Sequence, residues 1–172
     1  MFADLERHLN NTAAYAEIIG EKLDFSHSSL YNLVLSARLH DIGKSILKES
    51  ILLKPGSLTE EEWAEIKKHP EIGCRIVQAM PGLSPIAEYI LYHHERWDGK
   101  GYPRGLKGEK IPLISRIISI ADSFDAMTSN RIYRKAMSRE EAIAEIKRNA
   151  GTQFDPALVE ICQEILINKI LI

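Results

Sequence analysis

The sequence predicts an all-α protein, a single compact bundle of about seven or eight helices spanning residues 1–172. Three observations carry that expectation. Apolar residues recur in steps of three and four along nearly the whole chain. Capping and turn signals interrupt the pattern at helix-length intervals. No stretch shows the apolar alternation of period two that a half-buried strand requires.

Taken in order, Leu5, Leu9, Ala13, Ala16, Ile19 and Leu23 form one apolar stripe and predict the first helix. A second runs from about Ser29 to His40 through Leu30, Leu33, Val34 and Ala37, and Gly43 stops it. The segment "ILLKPGSL" reads as a turn-rich loop around Pro55-Gly56. Thr59 to Glu62, "TEEE", reads as a capping box opening a third helix. Pro70 begins another, from about Glu71 to Met80, and "PGLSP" ends it. Ser84-Pro85 starts a helix that carries Tyr89 to His94 towards its end. After a glycine-rich loop, Pro112 opens a helix through Ile117, Ile120, Ala121 and Phe124. Ser138 to Glu141, "SREE", is a second capping box, and Asp155-Pro156 has the N-cap and N1 pattern of a last helix.

Composition narrows the function classes. A formal net charge of -2 argues against a general nucleic-acid binder, which would show a basic face. Cys74 and Cys162 lie far apart and form no CxxC pair, so core packing in a reducing compartment is expected. No apolar run approaches the roughly 18 residues of a membrane span. "MFADLERHLN" has early acids and no apolar run, so it does not read as a signal peptide. The expectation is a cytoplasmic domain.

The six histidines are His8, His27, His40, His69, His93 and His94. His27 lies in the polar connector "DFSHSS" and reads as solvated. The other five fall where the pattern would bury them. His8 sits between Leu5 and Leu9, His40 is followed at once by Asp41, and His69 precedes Pro70. His93-His94 end a helix, and Asp122 interrupts the apolar face "IISIADSFDAM". Buried imidazole and carboxylate groups need partners, and a metal supplies one for all of them. Imidazole nitrogen with carboxylate oxygen, and no thiolate, suits iron, manganese, nickel or zinc. Five histidines and two aspartates exceed the needs of one ion, and sharing Asp41 between two ions resolves the excess.

Five ordered segments then carry a resemblance: "LHDIGK" (39–44), "KKHPEIG" (67–73), "YHHERWDGKGYP" (92–103), "IADSFDAMTSNRIYRKAMS" (120–138) and "AGTQFDP" (150–156). Together they resemble the HD-GYP family, metal-dependent phosphodiesterases acting on cyclic di-GMP within the HD phosphohydrolase superfamily. The resemblance runs from about His8 to Ile161. It implies the same all-α bundle and two divalent transition-metal ions, iron or manganese favoured, with nickel or zinc as alternatives. It puts one ion near His8, His40, Asp41 and Asp122, and a second near Asp41, His69, His93 and His94. Two adjacent ions hold a hydroxide between them and aim it at phosphorus. Lys44 is expected to bind a phosphoryl oxygen, and Arg131 and Arg134 to contact the dinucleotide's phosphates. Tyr102 and Pro103 form the GYP loop, implicated in substrate handling and in contacts with cyclic di-GMP synthases (GGDEF domains). Trp97 is expected to pack in the core.

Some members hold a third metal with an acid four residues before the first histidine. Here that residue is Asp4, shorter than their glutamate, which leaves two readings, a third-metal ligand or a helix N-terminal acid. Two further departures are Asn11, where an arginine is common, and Ile132 in "RIYR", where proline is usual. Only seven residues precede His8, so the chain reads as a stand-alone enzyme or a domain cut from something longer. An exposed apolar stripe on the first helix would favour a homodimer. The implied function is hydrolysis of cyclic di-GMP to linear pGpG, with pGpG or GMP as the final product. The alternatives are a phosphohydrolase of the same superfamily acting on another cyclic dinucleotide or nucleotide, and a non-catalytic binding module.

Overall fold

The computed structural model describes residues 2–130 and 135–168. In chain order the α-helical segments are α1 (Phe2–Lys22), α2 (His27–Leu39), α3 (Glu49–Leu52), α4 (Glu60–Ile66), α5 (His69–Gln78), α6 (Ala87–Leu91), α7 (Leu113–Thr128), α8 (Arg139–Arg148) and α9 (Pro156–Asn168). A 3-10 turn, Ile42–Ile46, follows α2. No strand occurs among the described residues; a single bridge joins Ala150 to Phe154. The all-α expectation holds.

Local chemistry sets most boundaries. Both capping boxes form: Thr59 Oγ1 accepts from the Glu62 N–H while Glu62 accepts from the Thr59 N–H, and Ser138 with Glu141 repeats the arrangement. Asp155 accepts from the Ala157 N–H at the start of α9. Two boundaries differ from expectation. The turn-rich stretch before Pro55 contains the single helical turn α3, and α6 stops at Leu91, short of the histidines. His93 and His94 therefore sit in a turn beyond the helix, closed by a hydrogen bond from the Glu95 N–H to the Tyr92 carbonyl.

Two apolar cores result. The larger packs Ala13, Ala16 and Ile19 of α1 with Leu33 and Ala37 of α2, the isoleucines and Phe124 of α7, and residues of α8 and α9. The smaller joins Cys74 and Val77 of α5 to Ile86, Ala87 and Ile90, with Leu35 and Leu39 of α2 against it. Helix α2 thus presents one face to each core. Along α1, Ala13, Ala16 and Ile19 lie in the larger core, Leu9 is half-buried and Leu5 is exposed. Both cysteines are buried and free.

Gly43 lies at the seam between the cores. A Cβ there would meet the His69 carbonyl oxygen at 2.0 Å and the Gly73 nitrogen at 2.6 Å. Glycine is what lets the turn after α2 touch α5 backbone to backbone. Among the described residues no helix is long and apolar enough to cross a membrane.

Candidate metal centre

Five elements deliver side chains to that seam. His8 comes from α1, His40 and Asp41 from the end of α2, His69 from the start of α5, His93 and His94 from the turn after α6, and Asp122 from α7. His40, Asp41, His69 and His93 are buried, whereas His27 is exposed at the start of α2.

One local device orients three of the histidines. The last carbonyls of a helix lack intrahelical partners, and each of these rings supplies one. His40 Nδ1 donates to the Ala37 carbonyl at 2.7 Å, His69 Nδ1 to Ile66 at 2.7 Å, and His93 Nδ1 to Ile90 at 2.6 Å. A carbonyl can only accept, so each Nδ1 carries the hydrogen and each Nε2 of the neutral ring is a bare lone pair. Those lone pairs face inward. His69 Nε2 lies 3.2 Å from His93 Nε2, a contact between two acceptors that is favourable only with a cation between or beside them.

Asp41 connects two groups. One oxygen, Oδ1, is 3.3 Å from His69 Nε2, and the other, Oδ2, is 3.5 Å from His40 Nε2. The first group is Asp41, His69, His93 and His94, whose ligand atoms all lie within 4.8 Å of one another; the second is His8, His40 and Asp41 on the same criterion. Asp122 adjoins the second, with Oδ1 3.3 Å from His8 Nε2 and 4.0 Å from His40 Nε2. His40 Nε2 and Asp41 Oδ1 are buried without a hydrogen-bond partner, although leaving such groups unmatched is costly. The donor set and these orphaned atoms fit divalent metal ions of the imidazole- and carboxylate-binding kind.

The titration directions agree. Burial, then the neighbouring histidines, hold His93 well below its ordinary value, and burial lowers His94 to about 3 and also lowers His69. These rings stay neutral and able to ligate. For Asp41 burial acts upward, but the adjoining His40 ring and the Lys44 ammonium outweigh it and keep the carboxyl well below the usual range. His8 differs: burial acts to lower it, yet hydrogen bonds to Asp122 and Asp125 raise it to about 9. An ion bound through His8 would have to displace a proton.

The expected substrate residues divide. Lys44 Nζ donates to Asp41 Oδ2 at 2.6 Å, beside the centre. The Tyr102 ring lies 4.9 Å from the His94 ring at 33°, and Lys67 Nζ sits 5.7 Å from the Tyr102 ring centre. Pro103 follows it through a cis peptide bond. Trp97, expected in the core, is half-buried and belongs to neither core; the Arg116 guanidinium lies 5.7 Å from its ring centre. Arg131 and Arg134 lie outside the described residues. Asp4 belongs to α1, and its side chain lies outside the description.

Sequence reasoning missed two buried acids. Glu95 accepts from the Arg104 N–H at 2.6 Å and the Leu106 N–H at 3.0 Å, fixing the loop that carries Tyr102. Asp125 Oδ2 holds His8 Nδ1 at 2.6 Å, and its Oδ1 accepts from Asn11 at 2.8 Å. The i, i+3 spacings of Asp122 with Asp125 and of His8 with Asn11 were the available signal. The segment "AGTQFDP" also gains a role, since the Trp97 and Asp98 N–H groups donate to the Gln153 and Thr152 carbonyls.

Comparison with known proteins agrees with this geometry. The family described as HD domain matches residues 3–158. A cyclic di-GMP phosphodiesterase of Thermotoga maritima is 44% identical over 163 residues, covering 92% of this chain and 44% of that protein. A 3′3′-cGAMP-specific phosphodiesterase of Vibrio cholerae is 38% identical, over 91% of this chain and 30% of that protein. The chain therefore spans less than half the length of these relatives. A crystal structure of a cyclic GMP-AMP specific phosphodiesterase of V. cholerae superimposes with a TM-score of 0.74 at 24% identity, over 94% of this chain and 44% of that one. That likeness speaks to the fold.

Proposed function

The chain belongs to the HD domain family, and we propose that it is a metal-dependent phosphodiesterase of the HD-GYP type that hydrolyses cyclic di-GMP to linear pGpG, with pGpG or GMP as the final product. The observation that carries the reading is the convergence of bare imidazole nitrogens on Asp41, including the 3.2 Å approach of His69 Nε2 to His93 Nε2. The names of the relatives support the substrate class.

His8, His40, Asp41 and Asp122 would hold one divalent ion, and Asp41, His69, His93 and His94 a second, with iron or manganese favoured. When bound, such ions supply positive charge that acidifies water and neutralises the phosphoryl oxygens. The chain's own residues do the rest. The backbone carbonyls behind His40, His69 and His93 keep their Nε2 lone pairs aimed at the centre without reorganisation. Lys44, now on Asp41, is within reach of a substrate oxygen and would donate to it. Tyr102, stacked on His94, walls the centre on the loop side and limits water access. Arg131 and Arg134 would grip the phosphates of the dinucleotide. The rim of the same loop, with Arg104 exposed and paired to Glu71 at 3.3 Å, is the face we assign to contact with cyclic di-GMP synthase domains.

The test is a panel of cyclic di-GMP, 3′3′-cGAMP and cyclic di-AMP with the metal-loaded protein, before and after chelation. Linear pGpG from cyclic di-GMP, lost on chelation and restored by metal, is expected. Preference for 3′3′-cGAMP would replace the substrate, and binding without turnover of any of the three would make the chain a binding module.

A further inference from the structure

We propose that Asp125 is a positioning residue for one of the two metal positions only, and that Asn11 holds it to that task. The inference rests on the two-metal reading above. Asp125 is 1% exposed, on the face of α7 that also carries Asp122. Its Oδ2 receives the His8 Nδ1 hydrogen at 2.6 Å. Its Oδ1 is occupied by the Asn11 amide at 2.8 Å and the Ser129 hydroxyl at 3.2 Å. With one oxygen committed to Asn11 and Ser129, the other has a fixed direction, and the His8 ring can take only the orientation that turns Nε2 towards Asp122 and His40.

The three other oriented rings lean on neutral backbone carbonyls. An anionic acceptor does more than a neutral one. It fixes the tautomer and also raises the basicity of the ligand nitrogen. The position of His8, His40, Asp41 and Asp122 therefore has two carboxylates in direct reach and a third behind His8. The position of His69, His93 and His94 has only the shared Asp41. The two positions are unequal, and Asp125 is one source of the difference. Asn11 lies one turn beyond His8 on α1, so the same helix supplies both groups that Asp125 holds.

The experiment titrates metal-free protein with Mn(II), counting bound ions and their affinities, in the wild type, Asp125→Asn, Asn11→Ala, His8→Ala and the His8→Ala/Asp125→Asn double variant. The wild type is expected to bind two ions. Asp125→Asn should keep one at wild-type affinity and bind the other about 10- to 100-fold more weakly. Asn11→Ala should weaken that same ion by a smaller factor, and it carries the test if Asp125→Asn does not fold. In the His8→Ala background, Asp125→Asn should change nothing further, an outcome that a general structural role would not give. Equal weakening of both ions, or an added loss in the double variant, would overturn the inference. Two unchanged ions in Asp125→Asn and Asn11→Ala would overturn it while leaving the two-metal reading intact, whereas a wild type that binds no ion would overturn both.

Discussion

At the scale of single residues the centre turns on Asp41, whose two oxygens face different histidines at 3.3 and 3.5 Å. Asp41→Ala should remove metal from both positions and abolish turnover; a variant that keeps two ions per chain by mass spectrometry would contradict the bridging role. Lys44→Ala should keep both ions and lower kcat roughly 10- to 100-fold, the worth of a hydrogen bond to a charged group; unchanged kcat would make the lysine a mere partner of Asp41. The seven ligand candidates were legible in the sequence because each is a polar residue at an apolar position or a helix end. Asp125 and Glu95 were not. Their roles come from partners that folding brings near, the His8 ring 117 positions from Asp125 and the loop amides of Arg104 and Leu106 for Glu95, and a lone carboxylate reads from sequence as solvated.

At the scale of elements, the recurring device is a histidine capping its own helix end. Helices α2, α4 and α6 each leave a carbonyl that a following ring satisfies, so the chemistry that ends the helix also aims the ligand. The sequence showed histidines near helix ends; it did not show that α6 would stop at Leu91, because Tyr92 to Glu95 carry no glycine or proline to mark the break. Gly43→Ala should force the turn after α2 away from α5, separating Asp41 from His69. Overpacking of this kind costs about 1–3 kcal/mol or more, and both metal loading and the urea midpoint should fall. Glu95→Ala should leave the Arg104 and Leu106 N–H groups unpaired; faster hydrogen exchange at these two amides, with metal content unchanged, is the expected signature, and unaltered exchange would show that the loop holds itself.

At the scale of the whole molecule, the metal centre lies between two cores, so stability and loading are coupled. Removing two ions, each held at about 1,000 times its Kd, withdraws roughly 8 kcal/mol, and Tm should drop by about 15–30 °C on chelation for a domain of this size. The metal-free protein should also be most stable near pH 6.5. His69, His93 and His94 are depressed, His94 to about 3, so below 6.5 the unfolded chain takes up protons that the fold refuses, and stability falls with acid. His8 is raised to about 9, so its stabilisation is complete below 6.5 and is lost as pH rises through 9. Urea midpoints between pH 5 and 9 should peak near 6.5 with the steeper fall on the acid side, where three groups act against one; a steady fall across that range would mean the rings are not neutral in the fold. The bundle itself was legible as helical periodicity. Its division into two cores was not, since α2 spends both faces and its sequence shows a single helical pattern.

The measurement that tests the central claim most directly takes one anaerobically purified sample, counts its metals by mass spectrometry, and incubates it with cyclic di-GMP while resolving pGpG from GMP. About two transition-metal ions per chain, with linear product appearing in proportion to metal content across partly loaded samples, is the predicted result. Folded protein that binds no transition metal, or that yields the same product rate whatever its metal content, would contradict it.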